Sequence, residues 1–160
     1  EVTSQFEDYE FVIAGAPSIP LEFYRNITKD SFVPISSGRT YEVLMGAKAA
    51  LIASGTATLE AAILNVPQVV CYKTSMFSYT IGRLLVKVKY ISLVNLISDK
   101  FVVKELIQSD FNLVNLKIEL KNILNKKTKS ELLSKYKLLH EMLGEVGASK
   151  RVAEAIFNLE

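Results

Sequence analysis

The sequence is poor in the residues that build covalently stapled or metal-centred folds. It holds one cysteine, Cys71, and one histidine, His140, among its 160 residues. A single cysteine closes no internal disulfide, and one His with one Cys falls short of the three or four N/S ligands of a zinc site. A reducing compartment is the natural setting. Long apolar runs are also missing: Lys, Arg, Asp or Pro interrupts every hydrophobic stretch well before the ~20 residues that a membrane span needs. Neither sign of charge dominates, with 19 Lys plus Arg against 17 Asp plus Glu, so the basic excess of a dedicated nucleic-acid binder is absent. No internal repeat or low-complexity segment appears. What is present is a chain that is 49% hydrophobic, of a size expected to bury about 68–70% of its unfolded surface in one domain. Disorder and mini-protein scaffolds are excluded. The first residue is Glu1 and no signal-peptide pattern follows it; the chain reads as cut from something longer.

The hydrophobic pattern alternates. Short apolar runs at Phe11–Ala14, Phe32–Ile35, Ala50–Ala53, Gln68–Tyr72 and Tyr90–Leu93 predict strands. Between them, helical spacing predicts helices over Leu21–Ile27, Tyr41–Ala47, Thr56–Leu64 and Phe77–Val86. The fold class expected is α/β: a Rossmann-like, doubly wound parallel sheet, its central strands apolar without alternation because both faces are covered. From about residue 110 the strands give way to a helical tail over 111–160 of the same domain. Asn112 caps a helix with Leu113, Leu116, Leu120 and Leu124 on one stripe. The Lys126-Lys127-Thr128-Lys129 stretch is expected to break it from a second helix carrying Leu132, Leu133, Tyr136, Leu139 and Leu143. A terminal helix runs from Ala148 to Leu159.

Ligands of open parallel sheets sit outside the carboxyl ends of the strands, so the strand-to-helix junctions carry the candidate chemistry. The most informative runs Ala53-Ser54-Gly55-Thr56-Ala57-Thr58-Leu59-Glu60: a buried strand enters small and hydroxyl residues, then a helix. Small residues let a ligand approach the backbone, and free amides at the positive end of a helix suit a phosphate or diphosphate. The hydroxyls of Ser54, Thr56 and Thr58 add hydrogen bonds; an ordinary helix cap is the plainer use of the same residues. Glu60 cannot close a capping box, because Ala57 stands three residues before it. One helical turn past Thr56, it is placed to take the two hydroxyls of a sugar diol, or simply to face solvent as a helix-surface carboxylate.

The strings Ser54 to Ala62 and Val66-Pro67-Gln68-Val69-Val70-Cys71-Tyr72-Lys73 resemble the donor-nucleotide motif of GT-B glycosyltransferases. The later run Arg83 to Ile97, with its Ser92-Leu93-Val94-Asn95 core, resembles the lipid-A-disaccharide synthase family within that group. The likeness runs from about Phe11 to about Leu124. It implies an inverting, metal-independent transferase without a cofactor, which joins UDP-2,3-diacylglucosamine to 2,3-diacylglucosamine 1-phosphate and releases UDP. It further implies that the Ser54-Gly55-Thr56 turn holds the donor diphosphate and Glu60 the ribose. The loop Ser36-Ser37-Gly38-Arg39-Thr40 would lie against the base, where Gly38 lets the backbone come close. Asn95 stands at the family's Ser-Leu-Pro-Asn motif, near the reaction centre, although Val94 replaces its Pro. The family's upstream Gly-Ser-Arg phosphate loop and its N-terminal acceptor domain with the catalytic base are not in this sequence. The resemblance therefore implies the C-terminal, donor-binding half of such an enzyme, inactive alone. A cytoplasmic place at the inner-membrane surface and a homodimer with an exchanged terminal helix follow from the same likeness. In that case the face of Val152, Ala155, Ile156 and Leu159 would be left uncovered in this chain.

Rival readings are open at this stage. A dinucleotide oxidoreductase would show Gly-x-Gly-x-x-Gly after its first strand, where Gly15-Ala16-Pro17-Ser18 stands, and no P-loop string occurs. The nearest rivals are the peptidoglycan glucosaminyltransferase or a UDP-sugar 2-epimerase, which share the Ser-Gly-Thr to Glu unit; the Asn95 context separates them. A non-catalytic binding module is a further one. The Met76 to Tyr90 stretch mixes aromatics with Arg83, Lys87 and Lys89, which suits an interfacial helix beside lipid as well as a core one. The Lys126, Lys127 and Lys129 group reads as a solvated helix end or a site of membrane-surface attraction. Cys71 reads as a small buried hydrophobe, and His140 as a structural residue.

Overall fold

A computed structural model describes residues 2–29, 32–53, 55–75, 89–145 and 147–158. The expected helix over 77–86 lies outside them. Among the described residues, five short strands, all parallel, form two sheets: β1 (Ile13–Gly15) with β2 (Ile35–Ser37), and β3 (Ala50–Ala53), β4 (Gln68–Tyr72) and β5 (Lys104–Ile107) in that order. The helices are α1 (Leu21–Ile27), α2 (Thr40–Gly46), α3 (Thr56–Ile63), α4 (Leu93–Ser98), α5 (Leu113–Leu124), α6 (Lys126–Leu143) and α7 (Ala148–Phe157). The expected α/β architecture with parallel strands and C-terminal helices is therefore observed, with its strands divided between two sheets.

Successive residues of β4 face opposite sides, and the core divides accordingly. Val70 joins Ala62 of α3, Val94 of α4 and Leu132, Tyr136 and Leu139 of α6 on one face. Val69 joins Leu106 of β5, Phe6, and Leu116, Leu120 and Ile123 of α5 on the other. Leu44 of α2 packs on Ile52 of β3 together with Ala61 and Val66, and α2 also touches β1 and β2, so this helix ties the two sheets together.

Three expectations are corrected. Residues 90–93 are not a strand: Ser92 caps α4, its Oγ accepting from the Asn95 amide at 3.3 Å. The fifth strand is Lys104–Ile107 instead. The break between α5 and α6 falls at Asn125, whose side chain accepts from Lys127 N, so Lys126, Lys127 and Lys129 form the first turn of α6 and do not interrupt it. The first two strands also start later than expected. Pro34 has no N–H to give to a ladder; its carbonyl accepts from Ile13 N at 2.9 Å, and β2 begins at the next residue.

Tyr136 is fully buried in α6. Its hydroxyl accepts from Gln68 Nε2 at 3.2 Å and donates to Val66 O at 3.3 Å, and burial pushes its ionisation upward. The Gln68 amide also donates to Thr58 O at 2.8 Å, which pins α3 to the start of β4. His140 completes this seam through Nε2, 3.1 Å from Ala62 O. In α7 no residue is buried, and Val152 and Ile156 are 58% and 63% exposed. The apolar face expected to lie uncovered does so, with Leu159 outside the described residues.

Cys71, on β4, is half-buried beside the α5 cluster, and burial pushes its thiol up to about 11. It is a small hydrophobe, as its apolar context implied. The group is raised above its ordinary value of 9.0, so its contribution to stability is complete below about pH 9 and is lost as pH rises toward 11. Iodoacetamide at pH 8 is expected to label native Cys71 about 100-fold more slowly than the urea-unfolded chain, following the thiolate fraction. Equal rates in the two states would contradict this environment.

Candidate functional site

The junction expected to hold a ligand sits at the carboxyl end of β3. Gly55 is the N-cap of α3, with φ +131° and ψ −162°, a region that is essentially glycine-only. Among the described residues, nothing lies within 4 Å of the position a Cβ would take. Gly55 has no side chain with which to cap α3, and Thr56 beside it is exposed. The helix therefore presents first-turn amides, at its positive end, to whatever approaches the turn. Ser54 lies outside the described residues.

Thr58 departs from expectation. It is completely buried, and its Oγ1 donates to Gly55 O at 2.8 Å. Its hydroxyl is bonded to the glycine turn from inside the fold. Glu60, one turn further, is half-buried. No hydrogen bond or ion pair engages its carboxylate among the described residues, so both oxygens are free to accept.

The second expected loop follows β2. Gly38 is exposed with φ +72°, and α2 starts two residues later at Thr40, which is half-buried. Arg39 is exposed; its Nε donates to Glu42 Oε2 at 2.8 Å, and a second guanidinium nitrogen bonds the same oxygen. This hydrogen bonding raises the Arg39 pKa and lowers that of Glu42. Such an exposed pair contributes little stability, but it commits Arg39 to its own helix.

Asn95 bonds within the fold. Its side chain is fully buried. Oδ1 accepts from Val102 N at 2.8 Å and Val103 N at 2.9 Å, while Nδ2 donates to Val103 O at 2.9 Å and Glu105 Oε1 at 2.9 Å. All four bonding positions are occupied. Asn95 is thus a bracket between α4 and β5, with no donor left for a substrate. Sequence reasoning missed Glu105, the half-buried hub of this network: no motif marks a strand carboxylate whose partners are backbone amides. Among the described residues, no group of three or more His, Cys, Asp or Glu is placed to hold a metal ion.

The junction geometry leaves several nucleotide-binding families in play, and comparison with known proteins decides among them. The family model of lipid-A-disaccharide synthetase matches residues 1–156. The chain belongs to the lipid-A-disaccharide synthase family. It is 36% identical over 156 residues to the lipid-A-disaccharide synthase of Anaeromyxobacter sp. (strain K), covering 95% of this chain and 41% of that protein. With the synthase of Psychromonas ingrahamii it shares 36% over 162 residues, covering 99% and 42%. With that of Haemophilus ducreyi it shares 38% over 160 residues, covering 97% and 37%. The chain thus spans about two fifths of the length of these curated relatives. The resemblance drawn from the Ser54–Lys73 and Arg83–Ile97 strings to the lipid-A-disaccharide synthase family is borne out, and the rival families are not favoured. In this chain the α/β architecture carries the Gly55 turn at a strand's carboxyl end, the place where doubly wound sheets bind ligands. No helix among the described residues is long and apolar enough to cross a membrane.

Proposed function

We propose that this chain is the donor-binding half of a lipid-A-disaccharide synthase. It holds UDP-2,3-diacylglucosamine, and the acceptor 2,3-diacylglucosamine 1-phosphate is held mainly by residues outside it. The observation that carries this reading is the Gly55 turn: a glycine-only backbone opens α3 without a side-chain cap, one helical turn before the uncommitted carboxylate of Glu60. The diphosphate lies on the amides of Ser54, Gly55 and Thr56, and the ribose diol on Glu60. The base lies along the backbone at Gly38, Arg39 and Thr40. Thr58 and Asn95 support these residues from behind and touch no substrate.

The transfer needs a base on the acceptor hydroxyl and positive charge at the departing UDP. The positive end of α3 supplies part of the second. The first lies outside the chain, so the chain alone binds UDP and catalyses nothing. Its substrates carry acyl chains, which puts the working enzyme at the cytoplasmic face of the inner membrane as a peripheral protein. The bare apolar face of α7 supports pairing with a second copy.

Glu60→Ala in the full-length enzyme tests the ribose assignment. Losing two hydrogen bonds to a charged acceptor is expected to raise the donor KM about 10–100-fold. Glu60→Gln, which keeps one oxygen, falls between. An unchanged donor KM in both variants overturns the assignment.

A further inference from the structure

Two side chains of one strand region hold chain segments that are far away in sequence. Glu105 Oε1 accepts from Ser92 N at 2.9 Å, Ser92 Oγ at 2.7 Å and Asn95 Nδ2 at 2.9 Å, and Ile91 N lies 3.1 Å from Oε2. The carboxylate thus binds the residues that open α4. Gln108, immediately past β5, pairs with the main chain of Thr74. Thr74 N donates to Gln108 Oε1 at 2.8 Å, and Gln108 Nε2 donates to Thr74 O at 3.0 Å. This is the hydrogen bonding of a strand neighbour, supplied by one amide side chain. It fixes the segment that leaves the carboxyl end of β4.

Gln108 makes this pairing from a strained backbone. Its φ is +51°, a left-handed conformation that residues other than Gly, Asn and Asp rarely adopt, and it is buried at 9% exposure. Strain of this kind persists only where the surroundings over-determine it, and it concentrates at functional sites. Glu105 and Gln108 are three residues apart. The end of β5 and the residue after it therefore set the position of residues 73–75 and 91–95 together. The second of these segments packs on the donor helix: Val94 shares its cluster with Ala62 and Leu59 of α3.

We propose that Glu105 and Gln108 form a two-point clamp that positions the β4 and β5 side of the site for sugar transfer. This rests on the donor-site reading above. With the nucleotide on the Gly38 to Glu60 side, the segments beyond β4 and ahead of α4 border the sugar and the incoming acceptor. Neither clamp residue touches substrate; both are positioning residues. Misplacement of about 1 Å at such a distance can cost on the order of 100-fold in rate.

The test uses the full-length enzyme with Gln108→Gly, which relieves the left-handed strain while deleting the amide pair, so the fold is kept and the clamp opened. Amide exchange of Thr74 is expected to accelerate about 10-fold or more while Val69 and Val70 stay protected. In steady-state disaccharide synthesis, kcat is expected to fall at least about 10-fold with the donor KM within about 2-fold, because the α3 turn and Glu60 are untouched. Glu105→Gln, which keeps one acceptor for Ser92 and Asn95 but turns an NH2 toward Ile91 N, is expected to give the same split, with faster exchange at Ile91. Faster Thr74 exchange with unchanged kcat overturns the clamp, as does a loss expressed in donor KM alone. A wild-type enzyme that makes no disaccharide overturns the transferase reading itself, a failure seen before any variant is compared.

Discussion

Asn95→Ala is expected to destabilise the protein by about 3–5 kcal/mol, the largest single-residue loss outside the apolar core. Four hydrogen bonds disappear at once. The amides of Val102 and Val103 and the carbonyl of Val103 are left in a dry interior, at about 1–3 kcal/mol for each buried group without a partner. For a chain of this size that corresponds to a melting temperature lower by about 10 °C. Asn95→Asp separates shape from bonding. It keeps the two accepted bonds but sets a carboxylate against Glu105 and the Val103 carbonyl, and is expected to be at least as damaging. Thermal unfolding of the three proteins checks this. A variant within about 1 kcal/mol of wild type contradicts the bracket and returns Asn95 to the reaction centre that the family motif implied.

The second large effect falls on binding. Gly55→Ala meets no steric obstacle among the described residues, none of which lies within 4 Å of the added methyl. The φ of +131° is nevertheless closed to alanine, at about 1–3 kcal/mol of strain. The turn relaxes and carries the first amides of α3 with it. Diphosphate affinity is expected to fall about 100-fold, measurable by calorimetry with UDP, while the melting temperature drops by only a few degrees. Thr58→Val should reproduce part of this loss, because the hydroxyl bonded to Gly55 O holds the same turn. Wild-type UDP affinity in Gly55→Ala would remove the turn from the site.

The elements that packing alone specifies were legible. β3 and β4 begin and end where their continuous apolar runs do, and α3, α5 and α6 follow their stripes of Leu, Ala and Tyr. The errors fall where side chains bond to backbone. Tyr90 to Leu93 has the composition of a strand, yet Ser92 caps a helix there, and Ser92 with Asn95 three residues on was the available sign. β5 hides because it opens Lys104-Glu105. A charge in a covered strand contradicts the apolar pattern unless its partners are known, and those of Glu105 are amides more than ten residues away.

The site divides in the same way. The Gly55 turn and the position of Glu60 one helical turn beyond it were readable because each follows from local chain geometry: a turn closed to other residues, and a carboxylate outside any capping box. Thr58 and Asn95 carry the right chemical groups at the right spacing, but both are spent inside the protein. Burial is a tertiary property that spacing does not report. Unlike the exposed, local Arg39–Glu42 pair, the reciprocal bonds between Gln108 and Thr74 belong to this second class. Only the folded backbone brings out the latter, because its two residues lie 34 positions apart.

The central claim is that the β3–α3 turn binds a uridine diphosphate. A two-dimensional NMR titration of the chain with UDP, with AMP as control, tests it most directly, repeated on Glu60→Ala. The account predicts UDP-selective shifts centred on residues 54–60 and 36–40, weakened in the variant. No UDP-selective shift at millimolar ligand, or equal responses to UDP and AMP, would contradict it.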